Sequence, residues 1–347
     1  MNKERQSSFE LLRIIAQFMI VFYHILYFAV YPASGLSFYK AIWFPLHIGV
    51  PIFVFISGYF GIRASVKGFV KLAGMVLILS IPYMVEQVIN AFNGLGGAKS
   101  LVKLPFFLSY TPFWFIRTYI FLYLLSPVIN KFLKDITLVN RIFLLGALLY
   151  MSVYIGMLGS DESLKDGKNV VTFMLFYTIG DTLRYYKTKW DGLNINKTLC
   201  AFLLFNALVV AVFSYMGFGR IADAIWLRVF FAYCSPVLLI NAIVFYIIIG
   251  KLNFHSRIIN KIGKSSLAMY MVHGTFLFSL INPAVMYLYN LNDNIFFVLL
   301  NVFIITLITV IACAIIYWML TPIWNIIAII GEKTQNNIEA RLLSLQR

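Results

Sequence analysis

The sequence predicts an all-α protein, a polytopic membrane helical bundle of about ten transmembrane helices with both termini cytoplasmic. Three observations predict it. Of 347 residues, 61% are hydrophobic and 12% charged, with a mean hydropathy of +0.87; ordinary soluble domains are roughly 45–50% apolar and 25% charged. The apolar residues form near-continuous blocks of about 20, the length a helix needs to cross a hydrocarbon core. Lysine and arginine collect in alternate gaps between those blocks, as the positive-inside rule requires.

The elements follow in order. The first span, 9–31, comes after Lys3 and Arg5; it is too long for a signal peptide, contains Arg13 and lacks a small-residue cleavage site, so it reads as a retained helix. The second, 42–62, starts past Lys40 outside and ends at Arg63, Lys67 and Lys71 inside. The third, 69–92, leads to the outer connector NGLGGAKSLVK, and the fourth, 113–132, returns to Lys131, Lys134 and Arg141. The fifth, 142–158, leads to GSDESLKDGKN with Lys165 and Lys168. The sixth, 170–186, returns to Arg184, Lys187 and Lys189, then DGLNINK with Lys197. The seventh, 199–216, reaches Arg220 outside. The eighth, 224–249, returns to GKLNFHSRIINKIGKSS, whose alternating apolar and basic residues suit an interfacial amphipathic segment. The ninth and tenth, 265–289 and 295–330, go out and back.

One transmembrane domain, 1–332, is therefore expected, followed by a cytoplasmic tail, 333–347, that is a short surface helix or disordered. The formal net charge of +15 follows from this topology. Nucleic acid is excluded as a partner, because its binding needs cations clustered on one soluble face; the partner implied is the lipid bilayer. Cys200, Cys234 and Cys313 lie far apart in apolar blocks, which fits neither a disulfide framework nor a zinc site, and no metal is expected. No P-loop, G-x-S-x-G elbow, H-E-x-x-H or coupled carboxylate pair occurs.

Charges at membrane depth are costly, roughly 2.5–3.5 kcal/mol on insertion scales, and usually face a polar interior. The stretch FELLRIIAQFMIVFYH carries Glu10, Arg13, Gln17 and His24. Eleven residues at about 100° and 1.5 Å each bring Arg13 and His24 back to nearly one face with roughly 16 Å of rise between them, and Glu10, Gln17 and Ile20 share that stripe. Such a line suits a long ligand with an anionic head at the cytoplasmic surface and a reactive end carried deeper. Acyl-coenzyme A has that shape: Arg13 meets phosphate or the polar arm, and His24 moves a proton beside the thioester. The competing reading pairs Arg13 with Glu10 as an (i, i+3) ion pair and gives His24 an interhelical hydrogen bond.

Other candidates follow from depth. Glu86, with Gln87 and Asn90 after it, sits at a height similar to His24; it either orients that ring, as a carboxylate does in hydrolase triads, or is an outer-surface residue that caps or solvates the helix end. Arg117, beside Trp114, and Arg228 lie just below the outer surface, suited to an oxyanion or an anionic acceptor or, alternatively, to snorkelling and local pairing. Trp43 and Trp114 suit stacking on a sugar ring. His273 is expected below His24, in a buried interhelical hydrogen bond or lining the channel for the arm; His47 near the outer surface, in solvent or facing the acceptor; and His255 in solvent.

The basic residue, ten spacers and histidine of RIIAQFMIVFYH resemble the first-helix signature of the acyltransferase-3 family of integral membrane acyltransferases. HIGVPIFVFISGYF resembles that family's second helix, FWFIRTYIFLYLLSPVI its fourth span, FYTIGDTLRYY its sixth, and GKSSLAMYMVHGTF its late Tyr…His segment. The resemblance implies ten spans in a bacterial plasma membrane. It also implies transfer of an acyl group, commonly acetyl from acetyl-CoA, to a hydroxyl of a cell-surface glycan or its lipid-linked precursor. The positions it carries over are Arg13 and His24; Gln17 and Lys71 toward the coenzyme, Glu86 toward His24, and Arg117 and Trp114 toward the acceptor are expected from stripe, charge and depth alone. One departure is that Lys67 and Lys71 stand where many members have an arginine pair; lysine neutralises phosphate without the planar fork. The alternatives are a multi-pass exporter or transporter of a glycan or other solute, and a scaffolding subunit of an envelope assembly.

Overall fold

A computed structural model describes residues 6–93, 114–159, 162–216 and 224–345. Lys99, Lys103, Arg220 and Asp223 lie outside the described residues. Those described form helices and connecting turns, with no strand among them. In chain order they are α1 (Ser7–Ser34), α2 (Ser37–Phe60), α3 (Val66–Phe92), α4 (Trp114–Lys134), α5 (Leu138–Leu158) and α6 (Val170–Tyr185). Next come α7 (Ile195–Met216), α8 (Arg228–Gly250), the bent pair α9 (Ser266–Phe276) and α10 (Ser279–Leu291), α11 (Ile295–Met319) and α12 (Thr321–Leu345).

Helix starts follow local chemistry. Ser65, Thr137, Asn169 and Asn294 each accept a backbone N–H from the first turn of α3, α5, α6 and α11, satisfying donors that have no partner inside the helix.

The expected ten spans are not all reached. Seven described helices are long and apolar enough to cross a membrane, or eight if α9 and α10, bent by 60°, count as one broken span. Of the remaining segments, α4 carries Arg117, Lys131 and Lys134, and the 16 residues of α6 rise only about 24 Å, short of a hydrocarbon core of roughly 30 Å. The tenth block also divides. α11 stops at Met319, and α12 continues as a separate helix from Thr321 to Leu345, with Pro322 in its first turn. The predicted domain boundary at 332 falls inside α12, which packs along α3 through Ile327 at Gly74, Gly331 at Lys67 and a 2.6 Å ion pair between Lys67 and Glu332.

The bundle is built around α2. In its most apolar stretch 72% of residues are buried, against 22% in α3, α7 and α11, so α2 is central and those three face lipid. Its tightest neighbour is α6. A Cβ added at Gly58 would meet the Tyr177 carbonyl oxygen at 2.0 Å, and one at Gly180 would meet the Phe55 carbonyl oxygen at 2.1 Å. Two glycines facing one crossing let backbone pack on backbone, which drives helix association where lipid tails leave little hydrophobic gain.

At the end where α1 begins, Arg141, expected in a solvated gap, is instead buried. Its Nη1 donates to Asp181 Oδ2 at 2.7 Å and Thr182 Oγ1 at 3.1 Å, and its Nη2 donates to the Leu133 carbonyl. Arg184 takes the other Asp181 oxygen. A buried carboxylate held by two guanidiniums ties α4, α5 and α6 together.

Candidate functional site

One face of α1 forms the wall of three successive cavities. Arg13, Gln17 and Ile20 line the first, about 250 Å³, opposite Ser57, Tyr119 and Ser266. Ile20 and His24 line a narrow second, about 10 Å³. His24 lines the third, about 540 Å³, which is rich in aromatics and also bordered by Glu86 and Lys168. Tyr270 of α9 borders all three, and the middle one holds about one water, so the row is constricted at Tyr270.

His24 Nδ1 lies 2.9 Å from His273 Nε2, and His273 Nδ1 lies 2.8 Å from the Met269 carbonyl oxygen. The carbonyl only accepts, so His273 Nδ1 carries its hydrogen. In the neutral ring Nε2 is then the acceptor, and His24 must donate from Nδ1. The consequence is a His24 ring whose Nε2 keeps its lone pair and makes no hydrogen bond to a described residue. Both histidines precede a π-helical turn, Leu26–Val30 after His24 and Leu277–Ile281 after His273; such turns recur at functional sites.

Glu86 does not make this contact. The position on His24 Nδ1 that a carboxylate was to fill belongs to His273, while Glu86 is an exposed residue on the wall of the outer cavity. The hydrogen bond expected of His273 is present, at the level of His24 rather than below it.

At the other end, Arg13 Nη1 donates to Glu10 Oε1 at 2.5 Å, the ion pair that the spacing allowed, and Arg13 still borders the inner cavity. Gln17 is fully buried, and neither its amide oxygen nor its amide nitrogen has a hydrogen-bond partner. Each unsatisfied buried polar group costs about 1–3 kcal/mol. An amide left so on a cavity wall is organised for a ligand or water that supplies both a donor and an acceptor.

The remaining predicted residues divide. Trp114 borders the middle and outer cavities and packs beside Tyr233 and Phe173. Arg117 and Lys71 are exposed and border none of the three cavities, although Leu72, next to Lys71, borders the inner one. Lys67 is engaged by Glu332. Arg228 donates to the Met157 carbonyl and lies 4.0 Å from Asp166. His47, expected at the surface, is buried with its ring 4.4 Å from that of Tyr23, and it borders the middle cavity. Trp43 is buried among Tyr23, Tyr27 and Tyr31, away from the cavities. His255 is exposed, as expected.

Sequence reasoning gave no site role to Tyr270, the tyrosine of the Tyr…His segment, nor to Tyr233, Tyr119 and Ser57. A signal existed for the first: Tyr270 and His273 stand three residues apart, the spacing that places two side chains on one helix face. Among the described residues, no three His, Cys, Asp or Glu side chains come together in a way that would hold a metal ion.

Residues 6–318, nearly the whole chain, match the model of the acyltransferase-3 family, described as an acyltransferase domain. No curated protein and no solved structure matches the chain. The protein belongs to this family and is a membrane acyltransferase.

Proposed function

We propose that this acyltransferase accepts an acyl group, acetyl by family habit, from cytoplasmic acyl-coenzyme A. It passes the group to a hydroxyl of a cell-surface glycan or its lipid-linked precursor at a bacterial plasma membrane. The observation that carries the proposal is the row of cavities along α1, which runs from Arg13 and the unpartnered amide of Gln17 to the lone pair of His24. The two side chains lie roughly 16 Å apart by helical rise, a span matched to an extended amide-bearing tether.

In this reading Arg13 holds the anionic part of the donor and Gln17 pairs with an amide of its arm. Lys71, beside the inner cavity, neutralises phosphate. The thioester is delivered past Tyr270 to His24. Nε2 of His24 takes the proton from the acceptor hydroxyl as its oxygen attacks the thioester carbonyl. The tetrahedral intermediate then expels the coenzyme A sulfur, which receives the proton back from His24. His273 keeps the Nδ1 hydrogen in place and accepts from the imidazolium, the role an orienting carboxylate plays elsewhere. The outer cavity, with Trp114, Tyr23 and Tyr233 for a sugar ring and Glu86 and Lys168 for its polar groups, holds the acceptor; Arg117 guides it from outside. The constriction at Tyr270 favours group transfer over export, since a solute would need a wider path.

Purified protein given acetyl-CoA should release free thiol in the presence of a hydroxylated glycan. His24→Ala should abolish that release while the protein stays folded, and Arg13→Ala should weaken coenzyme A binding. Full thiol release by His24→Ala would overturn the proposal.

A further inference from the structure

A fourth cavity, about 350 Å³, lies at the end of the bundle where α1 begins, between the ends of α2, α4 and α6 and the start of α5. Four cations border it, Arg63, Lys134, Arg141 and Arg184, against one carboxylate, Asp181. That carboxylate is shared by Arg141 and Arg184. The side chains of Arg63 and Lys134 make no hydrogen bond or ion pair with any described residue.

Ordinary causes explain only some of these charges. Lys134 and Arg184 sit in the last turns of α4 and α6, where cations complement the helix carbonyls. Arg63 lies in the link between α2 and α3, outside any helix, and it is held there by a closed set of three hydrogen bonds. The Ile62 N–H donates to the Tyr177 hydroxyl at 2.7 Å, that hydroxyl donates to Asn130 Oδ1 at 2.6 Å, and Asn130 Nδ2 donates to the Ile62 carbonyl at 2.7 Å. Gly61 makes the turn possible with φ of +72°. Side chains from two helices, Asn130 of α4 and Tyr177 of α6, therefore fix the turn carrying Arg63 at the rim of a cavity with an excess of positive charge.

We propose that this cavity binds a phosphate group, with Arg63 and Lys134 as its direct contacts and Arg141 as the buried floor. Its volume is that of a ligand pocket, and the mutual repulsion of its cations is relieved by an anion. Two sources carry such a group to this place. One is the head of an anionic phospholipid, since Phe132, Ile142 and Phe143 beside the cavity expose their apolar side chains and basic pockets between helices take lipid heads. The other is a soluble phosphate ester. The lipid source is independent of the acyl-transfer reading, whereas the soluble ester tested below is the nucleotide head of coenzyme A and rests on that reading.

The test titrates purified full-length protein in neutral detergent with phosphatidylglycerol, phosphatidylcholine or adenosine 3′,5′-bisphosphate, reading affinity and thermal stabilisation. The double variant Arg63→Gln/Lys134→Gln leaves the Arg141–Asp181 pair intact. Arg63→Lys/Lys134→Arg keeps the charge and should retain binding. Loss of at least tenfold in affinity for phosphatidylglycerol in the glutamine variant, with no loss for phosphatidylcholine, supports a lipid head as the source. The same loss confined to the bisphosphate supports a soluble ester. Equal affinity of wild type and glutamine variant for both anions overturns the proposal, as does a preference for phosphatidylcholine.

Discussion

Replacing His273 with alanine tests how the His24 ring is held. The 2.9 Å contact gives His24 Nδ1 its acceptor inside the protein. Without it, a buried donor is left unmade at a cost of about 1–3 kcal/mol. That cost falls only on the tautomer protonated at Nδ1, the one whose Nε2 can act as a base. At about 1.4 kcal/mol per decade, the population of the competent ring falls roughly 5- to 150-fold. The expected result is a kcat lower by that factor, with the KM for acyl-coenzyme A nearly unchanged because Arg13 and Gln17 line a different cavity. His273→Gln should recover most of the rate, since its amide oxygen can take the place of Nε2 as acceptor. The assay is thiol release from acetyl-CoA with saturating acceptor, with thermal unfolding in detergent to confirm that each variant is folded. A folded alanine variant turning over at the wild-type rate would refute the reasoning. So would a glutamine variant that is folded and as slow as the alanine one.

Three further outcomes are expected. Gln17→Leu removes the unpartnered amide, so the ligand-free protein should gain about 1–3 kcal/mol while coenzyme A binding weakens several-fold; calorimetric titration beside thermal unfolding separates the two effects. Gly180→Ala must part α2 and α6 by about 1.3 Å to bring the new Cβ from 2.1 Å to ordinary contact, 3.4 Å or more, with the Phe55 carbonyl, costing about 1–3 kcal/mol. Gly146→Ala, which meets nothing within 4 Å, is the neutral control in the same melting assay. The Glu332 carboxyl is held below its ordinary range by its hydrogen bond to Lys67. Its contribution is therefore complete above the unfolded carboxylate pKa and lost as pH falls through the folded one. Glu332→Gln should lower the melting temperature slightly at pH 7 and not at all in strong acid.

How much of this was legible beforehand depends on which residues share a helix. Arg13, Gln17, Ile20 and His24 could be placed on one stripe because eleven residues are close to three whole turns, and a single helix fixes both their spacing and their common face. His273 lies 249 residues from His24, and periodicity says nothing about which helices become neighbours. Glu86 was matched to His24 by counting rise from the expected membrane surface. The height was matched, since both border the outer cavity, but a height does not say which side chain reaches the ring nitrogen. Lys71 and Arg117 show the same limit from another side, since depth follows from chain position but direction follows from how each helix is turned in the bundle.

The amino-acid order by itself determined the medium, the helical class, the polar line along α1 and the family. Each of these is a property of composition or of neighbours a few residues apart, where helix geometry is fixed by the backbone. Tertiary structure alone decided that His273 rather than Glu86 faces His24, that α12 returns along α3, and that three cavities meet at Tyr270. Those outcomes depend on close approach between distant helices. Small residues such as Gly58 and Gly180 permit that approach without announcing where it will occur.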